Sequence, residues 1–207
     1  MDLAHVDMTL PQLAALAAAL GWASGMRLYA VVFLTGAAGF MGWVTLPGGL
    51  QLLQHPLVLG ASALMVAVEF FADKIPGLDT VWDAIHTFIR IPAGAALAAG
   101  VFGGDQASWA LVAALMGGAL AATAHTAKAT TRAAVNTSPE PFSNIGLSLL
   151  GDAAVPVLLW LAWEHPYVFW PLLACGIVLA LVLIVVLLRF LRALFRRFFP
   201  ATPSALA

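Results

Sequence analysis

The chain has 207 residues, 62% of them hydrophobic and only 9% charged, with a mean hydropathy of +0.97 and a formal net charge of −1. Soluble domains are about one-quarter charged, so this composition belongs to an integral membrane protein, and the near-zero charge offers no basic field to nucleic acid. A lone cysteine, Cys175, excludes an intrachain disulfide and a thiolate metal cluster.

The opening stretch MDLAHVDMTLPQ lacks the basic start of a cleavable leader. Residues 10–24, LPQLAALAAALGWAS, are apolar but short of the roughly 20 residues that a span requires. They are expected to form a half-helix or interfacial helix on the cytoplasmic side, broken at Ser24-Gly25. As a further span they would instead carry the N-terminus outside.

Six longer apolar runs follow, near 26–44, 56–72, 91–103, 108–125, 145–163 and 167–188. The pieces between them, TLPGGLQ, GGDQ, NTSPEPFSN and EHP, are turn chemistry. Lys74 and Arg90 then fall at the second connection, and Lys128 and Arg132 at the fourth. Arg189, Arg192, Arg196 and Arg197 follow the last run, whereas the other connections hold no base. Basic residues mark the cytoplasmic side, so both termini are expected to be cytoplasmic. The expected fold is an all-α polytopic bundle of about six transmembrane helices. It forms one membrane domain over 1–190, with 191–207 as a basic amphipathic tail at anionic lipids of the inner leaflet.

An internal echo supports two-helix units. SGMRLYAVVFLTGAAGF (24–40) aligns without gaps on TFIRIPAGAALAAGVFG (87–103), setting Arg27 on Arg90. A fainter third copy starts near LGDAAVPVLLWLAW, where Pro156 matches Pro92. Tandem two-helix repeats preserve orientation, in keeping with the charge distribution.

The stretch EFFADKIPGLDTVWDAIHTFIR (69–90) concentrates six of the nineteen charged residues, Glu69, Asp73, Lys74, Asp79, Asp83 and Arg90, together with His86. The third apolar run is too short to span by itself, but a helix starting near Asp79 is long enough. Asp79, Asp83, His86 and Arg90 are spaced 4, 3 and 4, which makes one helical stripe. Charge in hydrocarbon costs at least about 2.5–3.5 kcal/mol per residue, so the stripe is expected to face the interior or water, with Val81, Trp82, Ile85, Phe88 and Ile89 toward lipid or neighbouring helices. A structural account is available for part of it, with Asp79 or Thr80 capping the helix and Glu69 and Asp73 pairing with nearby bases. Caps explain two acids, but not four with a histidine.

A second stripe, His125, Lys128, Arg132 and Asn136, has spacing 3, 4 and 4. Lys128 and Arg132 also fit a basic anchor on the cytoplasmic side. The following loop offers Glu140 and Asn144, and Asp152, ahead of a bulky apolar stretch, must face inward. The candidate substrate- or ion-binding set is therefore Arg27, Glu69, Asp73, Asp79, Asp83, His86, Arg90, His125 and Asp152. Asp79, Asp83 and His86 are candidate ligands for a divalent cation, though no metalloprotease-like spacing makes that specific.

SGMRLYA (24–30) and EFFADKIPGLDTVWDAIHTFIRIPAGA (69–95) resemble the bacterial membrane family catalogued as domain of unknown function 4126, over residues 10–165. The resemblance implies that Asp73, Lys74, Pro76, Asp79, Asp83, His86 and Arg90 belong to the family's signature region, and it implies a bacterial cytoplasmic (inner) membrane. It carries no activity.

Without a GxSxG, P-loop or dinucleotide fingerprint, an enzyme is the weaker expectation. The leading one is a small transporter or permease for an ion or solute, with the polar site in the cytoplasmic half. Glu69, Asp83, His86 and Asp152 would coordinate a cation or relay protons, while Arg27 and Arg90 hold the acids or an anionic group. A bundle this small would need to dimerise to enclose a path. The alternatives are a lipid translocase or phospholipid-handling enzyme, and a structural or assembly protein.

Overall fold

In the computed structural model, residues 8–75, 77–104, 106–137 and 142–198 are described, and among them all regular secondary structure is helical. The elements are α1 (Leu10–Phe40), a short 3-10 segment (Gly48–Gln54), α2 (Pro56–Ala72), α3 (Leu78–Gly100), α4 (Ala107–Val135), α5 (Phe142–Glu164) and α6 (Pro166–Phe198). Pro76, Glu140, the opening MDLAHVD and the tail beyond residue 198 lie outside the described residues.

Four of these helices, Leu10–Phe40, Ala107–Val135, Phe142–Glu164 and Pro166–Arg197, are long and apolar enough to cross a membrane. A fifth is added if the 3-10 segment and α2, bent by 70°, count as one span. That is fewer than the six expected, because α3 has the length but spends its first three turns on the polar stripe.

The largest departure from expectation is α1. Arg27, with φ −148° and ψ 79°, lies outside the helical basin, so the break falls two residues beyond Ser24-Gly25. The two halves turn back on one another there. Leu16 shares a cavity of about 310 Å³ with Leu34, Thr35 and Ala38, whereas a straight helix would hold Leu16 and Ala38 about 33 Å apart. The first half is not interfacial: every residue from Ala15 to Gly25 is buried. It can be enclosed on all sides because it is built from alanine and glycine, which let neighbouring backbones come close.

Three helices cross at glycines. A methyl on Gly21 would stand 2.6 Å from the Cα of Gly117, and one on Gly117 would stand 2.7 Å from the carbonyl oxygen of Gly94. One on Gly25 would stand 2.3 Å from the oxygen of Ala121. The pairs Gly21–Gly117 and Gly25–Ala121 show the first half of α1 running alongside α4 in the same direction. The first half of α5 meets Arg27 through Ser148 and Asp152, and α6 turns back from the far end of α5 after a one-residue link, so α6 runs the same way as the first half of α1. Leu10 and Arg197 therefore lie toward opposite ends of the bundle.

The aligned arginines of the internal echo also have different settings. Arg27 sits at a helix break, whereas α3 runs through Arg90 unbroken. Of the apolar residues between the stripe positions, Val81, Ile85, Phe88 and Ile89 are exposed and Trp82 is half-buried with its Nε1 enclosed, while α4, α5 and α6 present leucine- and valine-rich faces to the surroundings.

Candidate functional site

α3 starts one residue before Asp79, as the length argument requires. Gly77, in the left-handed region at φ 87°, turns the chain from α2 into it. Asp79 secures this entry. Its Oδ1 accepts from the backbone N–H of Gly77 (2.9 Å) and of Thr80 (2.7 Å), and Asn136 donates to both its oxygens from α4 (3.0 and 3.2 Å). Gly77, not Asp79, is the N-cap of α3; Asp79 lies in the first turn, where its carboxylate holds the N–H of the cap residue.

One end of the bundle gathers ten charged side chains: Glu69, Asp73, Asp79, Asp83 and Asp152 with Arg27, Lys74, Arg90, Lys128 and Arg132. Five acids meet five bases, so the cluster is formally neutral. All but Lys74, Lys128 and Asp152 are almost completely buried. Lys128 and Arg132, which could have been surface anchors, lie inside the network.

Two centres organise it. At the first, the Asp73 carboxylate at the end of α2 receives three cations: Arg27 Nη1 (2.8 Å), Lys128 Nζ (3.1 Å) and Arg132 Nη1 (2.9 Å). Lys128 also donates to the carbonyl oxygen of Met26 (3.1 Å), an acceptor beside the break in α1. Arg27 Nη2 goes on to α5, where it reaches Asp152 Oδ1 (2.9 Å) and Ser148 Oγ (2.9 Å). Lys74 approaches the same pair, at 3.5 Å from Asp152 and 3.2 Å from Ser148 Oγ, and partial burial lowers its pKa against the pull of Asp152.

At the second centre, Arg90 is the hub. Its Nη2 binds Glu69 Oε1, and its Nη1 binds Asp83 Oδ1 (2.8 Å) and meets His125 Nδ1 (3.2 Å). Lys128 Nζ bridges the centres, 3.1 Å from Asp83 Oδ1. Here the pairing is incomplete. Glu69 Oε2, Asp83 Oδ2 and Arg90 Nε are buried without a hydrogen-bond partner, and Asp83 Oδ2 has only a 3.7 Å ionic contact with Arg132 Nε. A buried polar atom left unmatched costs about 1–3 kcal/mol, so such sites call for a reason.

His86 lies to the side, whereas His125 reaches the second centre through Arg90. His86 stacks on Trp82 at 4.1 Å between ring centres, and its Nδ1 meets the Trp82 carbonyl oxygen (2.8 Å) while Nε2 meets the Tyr29 hydroxyl (3.1 Å). His125 Nε2 meets Thr87 Oγ1 (2.7 Å). Asp79, Asp83 and His86 share a helix stripe but not a centre. Among the described residues no three His, Cys, Asp or Glu side chains converge to hold a metal ion, so the divalent-cation ligand set expected from spacing does not form.

Ser148, Tyr29 and Thr87 were not in the candidate set. Ser148 was within reach of the sequence, because Asn144, Ser148 and Asp152 are spaced 4 and 4 on α5. Asn144, one turn before Ser148, is buried with neither amide atom hydrogen-bonded.

A family model described as a domain of unknown function (DUF4126) matches residues 14–191, and the chain belongs to that family. The match runs past residue 165 to take in nearly all of α6. No curated protein and no solved structure matches the chain.

Proposed function

We propose that the protein is a small membrane transporter in which Glu69, Arg90 and Asp83 form the group that couples movement to a proton or cation. One observation carries the reading: α1 breaks at Arg27, inside the buried ion network at one end of the bundle. Discontinuous helices whose freed backbone lies beside buried charge are how secondary transporters build sites away from bulk water. The unmatched oxygens Glu69 Oε2 and Asp83 Oδ2 supply the acceptors, and Arg90 is the internal cation that an incoming charge would displace. The network end, holding the lysines and arginines, faces the cytoplasm of a bacterial inner membrane, and Leu10 lies toward the other side.

The test is a vesicle assay. Proteoliposomes containing a trapped pH dye, with the membrane potential clamped, receive pulses of Na⁺, K⁺, Mg²⁺ or Ca²⁺. At least one cation is expected to evoke proton movement, and Glu69→Gln abolishes it while remaining folded. Silence toward all four, or an unchanged response in the variant, overturns the proposal. The complete set of partners on both oxygens of Asp73 favours a structural role for that centre, which need not move for the Arg90 centre to work.

A further inference from the structure

A second cavity, of about 640 Å³, lies between α1, α4, α5 and α6. It exists because α5 makes few contacts with α4, while α4 packs well against α6. Its walls are apolar: Leu147, Leu150, Val157 and Leu158 from α5, and Leu172 and Leu179 from α6 among others. Leu150, Val157, Leu172 and Leu179 are each about half exposed or more, so the cavity opens sideways toward hydrocarbon rather than into water. Among the described residues, the charged ones lining it are Arg27, Lys128 and Arg132, all cationic and all at the network end.

Two donors remain there. Asp73, Asp152 and Ser148 occupy the Nη atoms of Arg27, and its Nε faces α5, where a methyl on Gly151 would stand 3.8 Å away. Arg132 engages acids through Nη1 and Nε, which leaves Nη2 without a hydrogen bond among the described residues.

We propose that this cavity binds an anionic lipid of the cytoplasmic leaflet, with its headgroup phosphate on Arg27 and Arg132 and one acyl chain along the α5–α6 wall. Size, sideways opening and charge agree: such a volume suits one extended chain, and basic pockets between membrane helices at the cytoplasmic side select acidic headgroups. Each guanidinium has one nitrogen left to donate, Arg27 Nε and Arg132 Nη2, and a phosphate has oxygens enough to accept from both. The inference stands apart from transport, since a lipid can be bound in a protein that moves nothing.

Delipidated protein in detergent is titrated with phosphatidylglycerol, phosphatidylcholine and inorganic phosphate, with bound lipid counted by native mass spectrometry. Phosphatidylglycerol is expected to bind at least tenfold more tightly than phosphatidylcholine. Arg132→Gln removes most of that preference. Ala154→Trp, which fills the cavity without touching the ion network, abolishes the site and leaves lipid-free thermal stability near the parent's. A variant carrying Arg192→Gln, Arg196→Gln and Arg197→Gln retains the site, which separates the cavity from the basic end of α6. Equal binding of the two lipids, saturation by inorganic phosphate alone, or undiminished binding in Ala154→Trp overturns the proposal.

Discussion

Asp73 and Arg90 are opposite solutions to one problem. The first is an acid enclosed by three cations, and the second is a cation held by two acids and a histidine. Both are buried, and both join α2 to distant helices. They differ in completeness. Both oxygens of Asp73 are engaged at hydrogen-bonding distance, whereas the Arg90 centre leaves two carboxylate oxygens and one guanidinium nitrogen unmatched. A full set of partners makes a joint, and a short set makes a place where charge can be exchanged. Buried pairs seldom repay desolvation in stability, so the incomplete centre is the one whose presence needs a function.

The largest effect should come from breaking the joint. Asp73→Asn leaves Arg27, Lys128 and Arg132 buried around a neutral amide, and removing one partner from a buried ion cluster costs about 3–5 kcal/mol. The expected result is a much lower unfolding temperature in detergent and a poor folded yield, whatever the pH or added cation. A variant as stable as the parent would show that Asp73 does not tie α1, α2 and α4 together.

Arg90→Gln comes next, at about 3 kcal/mol, because it takes from the buried Glu69 its close cation, while Asp83 keeps Lys128 at 3.1 Å. Lowering the pH should restore stability here, since a buried carboxylate without its cation is better accommodated in the neutral form. Asp73→Asn has no such remedy, because its arginines cannot lose their charge. Thermal unfolding at pH 5 and pH 8 separates the two variants, and equal pH responses would erase the distinction between the centres.

Glu69→Gln sharpens the comparison from the functional side. Arg90 keeps Asp83, and the amide can still accept a hydrogen bond, so the loss in stability should be only about 1–2 kcal/mol. Cation-evoked proton movement should nevertheless vanish. A folded variant with full flux would move the coupling role elsewhere in the network.

Much of this was legible in the sequence. The stripe from Asp79 to Arg90 follows from helical spacing and from the cost of charge in hydrocarbon, and the inward turn of Asp152 follows from its apolar neighbours. What spacing along one helix could not supply was the partner on another. Lys128 and Arg132 read equally well as an anchor until Asp73, over fifty residues earlier, is seen beside them. The course of α1 was hidden for a related reason. An alanine-rich segment has too little hydrophobic contrast between its faces to reveal whether it lies on a surface or inside a bundle, and only the close crossings at Gly21 and Gly25 decide it.

His86 gives the smallest effect and the most direct challenge to the sequence-based expectation of proton relay. Both its ring nitrogens are occupied, one by the carbonyl of Trp82 in its own helix and one by the Tyr29 hydroxyl, and its ring is sandwiched against Trp82. These are the contacts of a spacer that fixes α3 against the second half of α1. His86→Phe keeps the stacking and gives up one hydrogen bond between helices, worth about 0.5–1.5 kcal/mol. Unfolding temperature should fall slightly and the pH profile of flux should not move. If the profile shifts with little change in stability, His86 exchanges protons with the Arg90 centre after all, and the boundary between joint and coupling group has to be drawn one residue wider.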